Sequence, residues 1–130
     1  MDYYGLFLLI VSLLTGQIGS RCLSAQGQDF ISAVVDKVTG TEGQLVSFSC
    51  SYKTGSEHAY LHWYKQVSDV EAPEFLLWKG ANNRSEMEYV TNDHYRSVTT
   101  DSSTELRVET ATLADSGFYY CALETQWCNM

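Results

Sequence analysis

The chain has 130 residues, a formal net charge of −8 and an ordinary apolar content, which leaves room for one domain plus processing segments. An acidic balance disfavours nucleic acid, which needs a basic face. Four cysteines with no C-x-x-C pair and no close Cys/His cluster do not have zinc-site spacing, so neither metal nor cofactor is expected.

In chain order, residues 6–14 read LFLLIVSLL, too short to span a bilayer but the length of a signal-peptide core. Asp2 is acidic and no Lys or Arg precedes the run, a departure from the usual leader. Small residues follow, and cleavage after Ala25 gives a signal peptide at 1–25 and entry into the secretory pathway. Cleavage after Ser20 is the competing site and leaves Cys22 as an odd thiol. A buried strand or helix of the mature domain is the competing reading of the same run.

The mature domain is expected at 26–123, with an unstructured tail at 124–130. Its signals are short strands and turns. An edge strand is expected over 30–38 and a turn at Gly40-Thr41-Glu42-Gly43. The strand over 45–52 turns Val46, Phe48 and Cys50 inward by period-2 alternation. A polar loop over 54–60 leads into a strand at 61–66 with Leu61 and Trp63 inward and His62, Tyr64 and Gln66 outward. A turn over 67–72 returns the chain to a strand at 75–78, followed by a polar loop at 80–83. Further strands are expected at 87–91 and 96–100, then a turn at 101–103 and a strand with Leu106 and Val108 inward. The stretch Asp115-Ser116-Gly117-Phe118-Tyr119-Tyr120-Cys121 enters a last strand from a tight corner. There Tyr119 and Cys121 share one face while Phe118, Tyr120 and Ala122 take the other. No long helical periodicity appears, so the fold class is all-β.

The ordered set Cys50, Trp63, Asp115, Tyr119 and Cys121 has the spacing of an immunoglobulin sandwich of two sheets. In that frame Trp63 packs on a Cys50–Cys121 disulfide and Tyr119 forms the corner. Closing a loop of that length is worth about 4 kcal/mol. Arg96 and Asp115 are candidate ion-pair partners at the bottom of the sandwich. Seven to nine strands, with the extra pair, point to the variable type.

The outward face of the central strands carries Tyr64, Gln66 and Tyr120, with Pro73 and Phe75 near its rim. Aromatics without charge are the composition of an interface core. Catalysis finds no support: G-x-S-x-G, H-E-x-x-H and phosphate-cradling glycine loops are absent. His58 and His62 run from loop into strand, where four residues span about 13 Å, too far for one metal ion. Asn83-Arg84-Ser85 is an N-glycosylation acceptor at Asn83.

With these residues in hand, the chain resembles a T-cell receptor alpha-type variable domain from about Gln28 to Leu123. The matching motifs are Phe48-Ser49-Cys50-Ser51-Tyr52, Trp63-Tyr64-Lys65-Gln66, Pro73-Glu74-Phe75-Leu76-Leu77 and the stretch from Asp115 to Leu123. The ending Cys-Ala-Leu is similar to alpha or delta chains rather than beta. The resemblance implies pairing with a second, beta- or gamma-type V domain through Tyr64, Gln66, Pro73 and Tyr120, with Gln66 hydrogen-bonded to its counterpart. It implies a first antigen-contacting loop of Thr54, Gly55, Ser56, Glu57, His58, Ala59 and Tyr60. A second would be Lys79, Gly80, Ala81, Asn82 and Asn83, with 101–104 as the accessory loop. The function implied is recognition of peptide or lipid on an MHC-like molecule, at the cell surface as part of a receptor complex. An antibody light-chain V domain or an innate V-type receptor is the alternative.

Two departures stand out. Ser68-Asp69-Val70-Glu71 replaces the usual Pro-Gly turn, and no Phe-Gly-x-Gly segment follows Cys121. The second reads as an unjoined germline V segment lacking the last strand, which a joining segment supplies. Membrane tethering would then come from a constant region. Thr125-Gln126-Trp127 can be encoded as ACA CAG TGG, which contains CACAGTG, the heptamer that directs joining of such segments. On that reading residues 126–130 are translated recombination signal and Cys128 has no structural role.

Overall fold

A computed structural model describes residues 4–15, 29–55, 58–81 and 87–126, with 4–15, 58 and 126 as backbone alone. Its strands are β1 (Tyr4–Thr15), β2 (Phe30–Ala33), β3 (Lys37–Thr41), β4 (Val46–Lys53), β5 (His58–Gln66), β6 (Glu74–Gly80), β7 (Glu88–Val90), β8 (Tyr95–Thr99), β9 (Ser103–Val108) and β10 (Gly117–Gln126). A 3-10 turn at Leu113–Asp115 precedes β10. One sheet runs β3-β1-β10-β5-β6-β7 and the other β2-β4-β9-β8.

Alternation builds the core. Along β4, Val46, Phe48, Cys50 and Tyr52 are buried, and along β9, Thr104, Leu106 and Val108 face them from the neighbouring strand. From the other sheet, Leu61, Trp63, Leu77, Tyr119, Cys121 and Leu123 are fully buried. Cys50 and Cys121 form the disulfide that joins the two sheets. Trp63 is the register partner of Cys121 and donates from its indole nitrogen to Thr104 Oγ1 at 3.3 Å. Phe48 and Tyr119 stack across the sheets with centroids 4.3 Å apart. The immunoglobulin V-type sandwich expected from the spacing is what forms.

Several boundaries differ from expectation. The strand expected over 30–38 splits: β2 pairs with β4 in one sheet, and after a bend at 34–36 the chain crosses to the other sheet as β3. Gly40 and Thr41 belong to β3, so the turn falls at Glu42-Gly43. There Gly43 holds φ +87°, a backbone that disfavours residues with a Cβ. The last strand continues past Leu123 through Glu124, Thr125 and Gln126 because β5 pairs with it out to His58. Thr125 is buried and its hydroxyl donates to Asp29 at 3.0 Å. Ala25, Cys22 and Cys128 lie outside the described residues.

The apolar run near the N-terminus lies in β1. It runs parallel to β10, from Phe7 opposite Gly117 to Thr15 opposite Thr125. Its other edge is antiparallel to β3, from Tyr4 opposite Thr41 to Leu8 opposite Lys37. With β3 on one edge and β10 on the other, β1 leaves no open edge on β10. Among the described residues no helix is long and apolar enough to cross a membrane.

Candidate recognition face

The outward side of β5 carries Tyr60, His62, Tyr64 and Gln66, each half-buried. Across one edge their register partners on β10 are Glu124, Ala122, Tyr120 and Phe118. Across the other, His62 faces Trp78 and Tyr64 faces Phe75, because the β5–β6 register shifts between Trp63 and Tyr64 and passes over Leu76. Leu76 and Leu77 are consecutive in sequence yet both buried. That local break in alternation is a bulge, and it brings Phe75 to the same face as Trp78.

The result is a continuous aromatic wall. Tyr64 meets Phe75 edge-on at 5.6 Å, Phe75 stacks on Tyr89 at 6.1 Å, and His62 lies parallel to Tyr64 at 6.2 Å. Nearer the loops, Tyr60 and Trp78 meet edge-to-face at 5.5 Å. There a pocket of about 340 Å³ opens, lined by Tyr60, His62, Trp78, Met87 and Glu124.

Polar contacts fix the wall. The Tyr120 hydroxyl donates to Gln66 Oε1 at 2.5 Å, and Gln66 Nε2 donates to the Glu71 carbonyl at 2.6 Å. His62 Nε2 bonds Glu124 Oε1 at 2.7 Å, while its buried Nδ1 has no hydrogen-bond partner among the described residues. Burial, and secondly the Glu124 charge, push the Tyr64 phenol above its ordinary pKa. Pro73 is exposed at the rim. Of the expected pairing residues, Tyr64, Gln66 and Tyr120 are thus brought together, with Phe75 beside them. Trp78, His62 and Glu124 were not singled out as site residues. Their signal was available for His62, which shares the outward period of Tyr64, but not for Trp78, whose facing depends on the bulge.

The expected antigen-contacting loops are partly strand. His58, Ala59 and Tyr60 lie in β5, and Lys79 and Gly80 in β6. Ala59, Gly80 and Ala81 are buried, which corrects their assignment as contact residues. They anchor the loop bases instead, through Gly80 N to the Met87 carbonyl at 2.8 Å and Ala81 N to the Ala59 carbonyl at 3.0 Å. Lys79 lies 3.8 Å from Glu88. Thr54 and Gly55 remain accessible at the mouth of the first loop. Ser56, Glu57, Asn82 and Asn83, including the glycosylation acceptor, lie outside the described residues.

At the opposite end the Tyr119 hydroxyl donates to the Asp115 carbonyl at 2.5 Å, closing the corner. The expected Arg96–Asp115 ion pair is not formed. Asp115, itself buried, bonds His94 Nε2 at 2.8 and 3.0 Å and accepts from Thr112 N at 2.8 Å. Arg96 points outward to Glu109 at 2.7 Å. Arg96 lies in β8, whereas His94 sits in the turn just before that strand, which places its ring at the corner. Lys65, an inward-facing cation, is satisfied by the Ala114 carbonyl at 2.7 Å.

The immunoglobulin V-set domain family matches residues 34–129. Among curated relatives, human T cell receptor alpha variable 18 is 34% identical over 95 residues, covering 68% of this chain and 81% of its own length. A mouse T-cell receptor alpha chain V region, CTL-F3, is 35% identical over 95 residues, covering 73% and 69%. Human T cell receptor alpha variable 38-1 is 24% identical over 112 residues, covering 86% and 95%. These are non-enzymatic domains. With the sandwich, the Cys50–Cys121 bridge and the Tyr119 corner in place, the chain belongs to the immunoglobulin V-set family, among the T-cell receptor alpha-type variable domains.

Proposed function

We propose that this chain is the recognition domain of an alpha- or delta-type receptor chain, encoded by a germline V segment. It pairs with a beta- or gamma-type V domain through the outward face of β5, β6 and β10. It then binds peptide or lipid on an MHC-like molecule through the loops at the β5 and β6 ends. The supporting observation is the uncharged aromatic wall of Tyr120, Tyr64 and Phe75 around Gln66, half-buried on a sheet face that no strand or helix covers among the described residues. Under this reading residues 1–25 direct the chain into the secretory pathway. Their removal opens the edge of β10 to a joining strand, and the receptor acts at the cell surface. Hydrogen exchange on the joined domain, alone and with a beta- or gamma-type V domain, tests it. Added protection across 61–66 is expected on pairing; unchanged exchange there would sink the reading.

A further inference from the structure

The pocket at the loop end of the wall has chemistry of its own. Among the described residues its lining carries one formal charge, Glu124, whose side chain is 37% exposed. One carboxylate oxygen is taken by His62 at 2.7 Å, and the other has no hydrogen-bond partner among the described residues. Tyr60 and Trp78 form an aromatic corner beside it, and the Met87 side chain, 43% exposed, closes a third side. Aromatic faces next to a carboxylate select cations over anions and over neutral polar groups. An apolar occupant would strip water from the free carboxylate oxygen and leave it unpaired. The nearest described lysine on β6, Lys79, is directed to Glu88. The chain's charge of −8 adds a long-range pull on a basic group. At about 340 Å³ the pocket is at the small end of ligand sites, a size for one side chain.

We propose that the pocket bounded by Tyr60, Trp78, Met87 and Glu124 receives a lysine or arginine side chain from a loop of the paired V domain. The proposal rests on the pairing reading above, because the pocket continues the aromatic wall toward the loops. Glu124 pairs with the cation, Tyr60 and Trp78 cover its flank, and His62 holds Glu124 in place from behind. The pocket thereby selects among partner domains by the presence of a basic residue at that loop.

The test titrates the full chain with acetyl-Gly-Arg-Gly-amide and with the same peptide carrying citrulline, whose neutral urea keeps the guanidinium shape. The Trp78 indole NMR signal reports occupancy. The arginine peptide is expected to bind at least fivefold more tightly. Glu124→Gln should erase that preference and Glu124→Asp should keep part of it, each with an unchanged amide spectrum elsewhere. Equal affinities, a preference that survives Glu124→Gln, or no response to either peptide would overturn the proposal. A second arm repeats the titration on the complex with a second V domain, where the Trp78 response should vanish. A response that persists in the complex would overturn the assigned occupant. A chain that prefers the arginine peptide yet pairs with no V domain would sink the pairing reading and the occupant with it, leaving the cation preference standing.

Discussion

Tyr64 and Phe75 stand opposite each other because the register between β5 and β6 passes over Leu76. Both neighbours in the bulge, Leu76 and Leu77, point into the core, so one extra residue serves two ends: it fills the sandwich and turns an aromatic ring outward. Removing the ring should therefore separate pairing from stability. Phe75→Ala is expected to weaken association with a second V domain by about tenfold, in line with roughly 0.5–1.5 kcal/mol for an aromatic pair plus lost buried area. The melting temperature of the unpaired domain should shift little. Surface plasmon resonance and calorimetry on the same samples check both halves.

The corner gives a contrast between two cations. His94→Ala removes a partner of the buried Asp115 carboxylate and is expected to cost about 1–3 kcal/mol in urea unfolding. Arg96→Ala breaks an exposed pair with Glu109 and should cost under about 1 kcal/mol. Equal losses in the two variants would contradict the assignment of His94 to the corner.

Burial gives the domain an alkaline limit. Desolvation, with the Asp101 charge second, pushes the Tyr52 phenol up to about 12; desolvation, with Asp115 and Glu74 behind it, does the same for Tyr95. Tyr119 is raised further still by burial and the charges around it. Folded values above the unfolded value of about 10 mean that the native state holds these protons more tightly. Their stabilisation is whole below pH 10 and is lost as pH rises through 12. Urea midpoints should fall across that window, and absorbance at 295 nm should show these tyrosines ionising with unfolding. A midpoint independent of pH from 10 to 12 would contradict it.

The edge of β10 supplies the last test. Full-length chain and a 26–130 fragment should differ in solution, since the fragment leaves β10 with an unpaired edge beside aromatic neighbours. The fragment is expected to aggregate at concentrations where the full chain stays monomeric, and an appended joining strand should restore a monomer. Light scattering with size-exclusion chromatography reads this out. A monomeric fragment with a sharp cooperative melt would refute it.

Much of the fold was legible because its signals are local. Period-2 alternation at Val46, Phe48 and Cys50, and again at Leu61 and Trp63, needs nothing beyond a pleated strand with one wet face. The Tyr119 corner follows from its distance to Cys121. What escaped depends on neighbours that sequence order does not reveal. Trp78 faces outward only through a bulge in its pairing, and Ala59, Gly80 and Ala81 are buried only because two loop bases lean on each other. Arg96 is the cation expected beside Asp115, but His94, in the turn before β8, takes that place. The division of residues 30–41 between two sheets likewise rests on a bend with no glycine or proline to mark it.

Gln66 arrives at any encounter with its amide already oriented, one end held by the Tyr120 hydroxyl and the other by the Glu71 carbonyl. A side chain fixed before contact loses little rotamer freedom on contact, so that share of the association cost is met during folding. The remaining N–H and the remaining lone pair of Gln66 project at set angles. A partner must meet that geometry as it stands, which favours rigid-body docking over mutual adjustment at the centre of the face.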